Sequence, residues 1–131
     1  MTRYLLDTNT VSYLFRSQGH VAAHLAVVRV GSVCVSSVTE AELRYGVAKH
    51  SSQRLARAVD EFCARTQVVP WTSDTAKTYG ALRADLERTG LTVALHDLLI
   101  AAHASQIGAV LVTHDRIFSQ VPGLQTADWY A

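Results

Sequence analysis

Short apolar runs alternate along this chain with longer stretches of helical periodicity, and that alternation leaves few folds open. Strands of three or four apolar residues have both faces to bury, which requires helices on each side of their sheet. Tyr4-Leu5-Leu6 reads as the first strand and Val33-Cys34-Val35 as the second. Val68-Val69, stopped by Pro70, is a third, and Ala109 to Val112 a fourth. Helical patterns lie between them: Thr39 to Lys49, Gln53 to Arg65, Ser73 to Thr89 ended by Gly90, and Leu98 to Ile107 ended by Gly108. The last is apolar nearly all round, as a buried helix is. The expected fold is one α/β domain over residues 1–131, a central parallel sheet of four to five short strands with helices on both sides.

Parallel α/β sheets take ligands beyond the carboxyl ends of their strands, so the residues found there matter most. Asp7 directly follows the first strand, and Asp115 follows the fourth after Thr113 and His114. Glu42 lies one turn into the helix after the second strand, and Asp97 opens the buried apolar helix. Four acids from distant stretches thus point to one sheet edge. Gathered carboxylates repel and raise one another's pKa, a conflict that a hard divalent cation removes. Such an ion activates water and stabilises charge on a phosphate, so no side chain needs to be the nucleophile.

Each acid also has a structural reading. Asp7 can cap a helix starting at Thr8 or Asn9, and Asp97 can cap the apolar helix. Thr39 and Glu42 have the spacing of a capping box, and Asp115 can cap a turn through Ile117 and Phe118. Capping and metal binding are compatible, because a carboxylate has two oxygens.

The remaining composition narrows the class. Net charge is +1, so charge alone does not mark a nucleic-acid binder, but ten of the twelve basic residues are arginine, the side chain best shaped to grip phosphate. Cys34 and Cys63 sit in apolar company and match no zinc motif; they are expected to be buried free thiols of a cytoplasmic protein. No apolar run approaches the ~20 residues that span a bilayer.

The segments carrying the acids also resemble a known family. Leu5 to Thr10, Ser36 to Gly46, Tyr79 to Glu87, His96 to Ala104, Leu111 to Asp115 and the tail from Val121 to Trp129 are similar, in order and separation, to PIN-domain proteins. They resemble in particular the VapC-type toxins of bacterial toxin–antitoxin pairs. That resemblance implies a Mg²⁺- or Mn²⁺-dependent endoribonuclease that blocks translation by cutting RNA. Asp7 and Asp97 match direct metal ligands, with Glu42 and Asp115 completing the quartet. It also implies Thr113 as a hydrogen-bonding group beside the metal, Asn9 as a brace for the Asp7 loop, a cognate antitoxin over the site, and a homodimer. His96 and His114 depart from the family pattern and read as local structural residues; His103, on the apolar helix, reads as a satisfied core histidine.

RNA approaching an acidic pocket needs basic residues at its rim. Arg44 and Arg116 are the first candidates, while Arg83 has the spacing to pair with Glu87 on its own helix. Trp71 and Trp129 read as packing residues. A haloacid-dehalogenase-type phosphotransferase wants an Asp at position 9, where Asn stands, and a receiver domain wants an acid after the third strand, where Pro70 and Trp71 stand. A PIN-like domain that only binds RNA or a partner remains the alternative.

Overall fold

The computed structural model describes residues 1–131. Five parallel strands, β1 (Tyr4–Leu6), β2 (Val33–Ser36), β3 (Gln67–Val69), β4 (Val110–Val112) and β5 (Thr126–Ala127), form one sheet in the order β3-β2-β1-β4-β5. Six helices connect them: α1 (Thr8–Phe15), α2 (Val21–Val27), α3 (Ser37–His50), α4 (Gln53–Arg65), α5 (Ser73–Thr89) and α6 (Leu95–Ile107).

The pleat sorts the core. Leu5, Cys34 and Leu111, paired in register, face one side with Leu86, Ile100 and Phe118. Their neighbours Leu6, Val33, Val35 and Val112 face the other with Val11, Val59 and Phe62. Successive strand residues point to opposite faces, so both layers of helices are needed. Full burial of a leucine or valine contributes about 1.5–3 kcal/mol, and Leu5, Leu6, Leu111 and Val112 are each fully buried.

Helices α4 and α5 have the bounds that periodicity gives. Two others begin earlier than expected. Ser36 caps α3 by accepting from the Val38 N–H, so Thr39 is not its cap and Glu42 stands in the second turn instead of closing a capping box. Helix α6 starts at Leu95 after Ala94, which puts Asp97 third in the helix with no capping role. Two elements lacked any local signal: α2, with Val21 its one buried residue, and β5, two residues defined by pairing with β4.

Strand order places a crevice. The chain leaves β1 for β2 and β3, then returns to the opposite flank of β1 for β4. The carboxyl ends of β1 and β4 therefore border a topological switch point, where such sheets bind ligands.

Candidate active site

Asp7 leaves β1 into this crevice, and the Asp7 N–H donates to the Val112 carbonyl of β4 at 3.0 Å. Its side chain is buried and caps α1, with Oδ1 accepting from the Thr10 N–H at 2.8 Å. Thr10, not Asn9, braces this corner: its hydroxyl donates to the Val112 carbonyl at 3.1 Å. Asn9 is exposed and its side chain makes no hydrogen bond, because the second helical position turns outward while the third turns back over the cap. Thr113 is buried and accepts from the Asp115 N–H at 3.1 Å, shaping the loop that carries this acid. Asp115 caps the short 3-10 turn after it, accepting from the Ile117 N–H.

Glu42 is drawn in from α3 by a residue that the pattern of acids did not single out. The Thr8 hydroxyl donates to Glu42 Oε1 at 2.7 Å, and its oxygen lies 3.2 Å from the Thr39 hydroxyl. From α6, Asp97 comes close enough to feel the other three acids. Burial pushes its carboxyl above the usual carboxylate range, His96 opposes this, and Asp7, Asp115 and Glu42 each push it further up. Asp97 is thus the residue at which the other three candidate acids are felt.

His96 belongs to this group too. Its Nε2 lies 3.4 Å from Asp97 Oδ1 and 3.9 Å from Glu42 Oε2, spanning two acids that α3 and α6 bring together. The structural reading of His114 is the one its contacts support. It donates through Nδ1 to Asp128 at 2.8 Å and stacks on Tyr130, which ties the tail to the loop before Asp115.

His103 is fully buried, with Nδ1 2.7 Å from the Ser36 hydroxyl, but its Nε2 has no partner, so it is only half satisfied. Trp71 packs with Nε1 donating to the Leu99 carbonyl, and Trp129 is buried against Tyr4 and His24. Cys34 is a buried free thiol and Cys63 is half-buried; burial raises the pKa of both.

The basic candidates divide. Arg44 is forked between Glu40 and Asp60 on the surface, and Arg83 pairs with Glu87 as its spacing suggests. Arg116 is exposed and free of any ion pair, immediately after Asp115.

Carboxylate oxygens are the donors that a hard divalent cation prefers, and the mutual repulsion felt at Asp97 is what such an ion relieves. In their present positions no three His, Cys, Asp or Glu side chains close into a metal cage. The donor chemistry fits the cation; the arrangement is open.

Known proteins resemble this chain over nearly its whole length. It is 33% identical to the tRNA(fMet)-specific endonuclease VapC of Salmonella typhimurium, covering 98% of this chain and 99% of the relative. It is likewise 33% identical, with the same coverage, to ribonuclease VapC2 of Haemophilus influenzae. Among solved structures, VapBC2 of Rickettsia felis bound to a promoter DNA fragment superposes with a TM-score of 0.89 at 31% identity, covering 98% and 99% of the two chains. DNA-bound VapBC of Salmonella typhimurium gives 0.88 at 34% identity, with the same coverage. With the PIN domain pattern matching residues 4–124 and these full-length likenesses, the chain belongs to the PIN-domain family, in its VapC branch.

Proposed function

We propose that the chain is a metal-dependent endoribonuclease, the toxin of a toxin–antitoxin pair. The observation that carries this reading is the convergence on Asp97 of charge from Asp7, Glu42 and Asp115, at the switch point of a fold shared with VapC ribonucleases. Asp7, Asp97, Glu42 and Asp115 would hold Mg²⁺ or Mn²⁺. When bound, the ion supplies a water made more acidic and positive charge that offsets the charge gathering on a phosphodiester. The chain's own groups prepare the place. The Thr10 N–H and the start of α1 hold Asp7, Thr8 turns Glu42 inward, and Thr113 orders the Asp115 loop. Arg116, at the rim, is the candidate to meet a backbone phosphate.

The partner follows from the same likeness. VapBC is a family of toxin–antitoxin systems, and an open acidic cluster is a ready socket for an antitoxin's Arg or Lys. A cognate antitoxin lying over the site is the expected inhibitor, and a homodimer the expected assembly.

The test is cleavage of total RNA by purified protein free of antitoxin, with Mg²⁺ or Mn²⁺, with EDTA, and as Asp97→Ala. Discrete fragments that vanish with chelator and with the variant support the nuclease. The open spacing of the acids is the observation on the side of a non-catalytic RNA- or partner-binding domain. Intact RNA under every condition, from folded and metal-loaded protein, moves that reading ahead.

A further inference from the structure

A cleft of about 580 Å³ opens between α1 and the α3–α4 corner, and Thr8 and Glu42 are among the residues that line it. Its volume lies within the roughly 300–1,000 Å³ of small-ligand sites. Away from Glu42 the cleft carries positive charge. Arg16, at the carboxyl end of α1, and Arg54, in the first turn of α4, both line it, as does His50 at the end of α3. Like Arg29, Arg57, Arg65 and Arg116, neither Arg16 nor Arg54 has an acidic partner, and these two are the arginines that line the cleft. The amino end of α4, capped by Ser52, opens on the same space and adds the partial positive charge of a helix start.

Gly46 also lines the cleft. It lies inside α3, where glycine is among the least favourable helix residues. A Cβ there would meet only Leu55 Cδ2, at 4.0 Å, an ordinary contact, so packing within the protein does not demand a glycine. What its bare backbone leaves open is the cleft, whose apolar lining is Phe15, Leu43, Leu55 and Ala58.

We propose that this cleft holds the RNA strand adjacent to the cleaved bond, with a backbone phosphate on Arg16 and Arg54 and a base against Leu55 and the open face at Gly46. The assignment rests on the nuclease reading above and adds to it a substrate subsite. Phosphate is favoured over an acidic peptide because cationic side chains and a helix start share the cleft with an apolar floor, which suits a nucleotide's two halves.

Binding of a short fluorescein-labelled single-stranded oligoribonucleotide is measured by anisotropy across a salt series, in an Asp97→Asn background so that the strand is held and not cut. Arg16→Gln and Arg54→Gln are each expected to weaken binding about threefold to tenfold and to flatten the salt dependence by about 0.7 in log–log slope. Arg65→Gln, at the far end of α4, is expected to change neither. Gly46→Leu, which fills the cleft without changing charge, is expected to weaken binding while the protein melts no lower. In the otherwise unaltered enzyme the two arginine variants should raise KM and leave kcat within about twofold.

Unchanged affinity and slope in both arginine variants would overturn the proposal. So would arginine variants that keep RNA affinity but lose a co-expressed antitoxin, which would give the cleft to that protein. If the parent protein neither binds nor cuts RNA, the nuclease reading falls and this one with it. If the parent cuts RNA and the cleft variants keep its KM, the subsite alone falls.

Discussion

The hydroxyl of Thr8 donates to Glu42 Oε1 at 2.7 Å, joining the first turn of α1 to the second turn of α3 across the mouth of the candidate site. A hydrogen bond to a charged group is worth roughly 1.5–3 kcal/mol. Thr8→Val keeps the shape and removes the donor. It is expected to lower kcat/KM for RNA cleavage about tenfold, with a stability loss of about 1 kcal/mol in urea, and Thr8→Ser should restore most of both. Equal activity for the Val and Ser variants would show that Glu42 needs no holding.

The surroundings of Asp97 disfavour its ionised form. Burial comes first, His96 opposes it, and Asp7, Asp115 and Glu42 add repulsion. Asp97→Asn, a neutral isostere, should therefore abolish cleavage yet leave the metal-free protein as stable as the parent or more so, by up to a few degrees in Tm. Saturating Mn²⁺, at about 100 times its Kd, should stabilise the parent by about 2.7 kcal/mol and the variant far less, with EDTA reversing the gain. A variant that melts well below the metal-free parent would mean that the carboxylate has a structural bond instead.

His103 predicts a pH dependence. Burial lowers its pKa below the ordinary 6.5, and the charge of Arg3 lowers it further. The unfolded chain then takes up this proton first as pH falls, while the folded protein keeps the ring neutral. Stability from this residue is fully present above about pH 6.5 and is lost below it, by up to about 1.4 kcal/mol per pH unit, until the folded pKa is reached. His103→Gln should remove this slope. Subtracting the urea stability of the variant from that of the parent, between pH 7.5 and 5, isolates it from the other histidines; a flat difference is the contrary result.

Two glycines should respond in opposite directions to the same substitution. Gly19 has φ +64°, and a Cβ there would lie 2.6 Å from the Tyr130 ring, where the tail docks on the turn after α1. Gly19→Ala is expected to cost at least about 1–2 kcal/mol. Gly46→Ala has room and a helical backbone, and is expected to add up to about 1 kcal/mol. Thermal melts of the two variants side by side decide it.

Much of this protein is written locally. Strand and helix periods mark β1, β2, α4 and α5, and the step from strand to acid places Asp7 and Asp115 at the sheet's carboxyl edge, because each signal is carried by neighbouring residues. Burial and caps act over a few residues as well, but they moved the starts of α3 and α6, and with them Glu42 and Asp97, away from the capping roles their spacing suggests. Partner choice was decided by packing alone. Thr8 finds Glu42 34 positions away, His96 comes to lie between Glu42 and Asp97, and Arg44 pairs with Asp60 of the next helix. Two-residue β5 exists only because β4 offers it an edge. A sequence states which residues are hydrophobic, charged or able to cap; which of them meet depends on how two layers of helices settle on one sheet, and that is fixed by tertiary contacts between segments far apart in the chain.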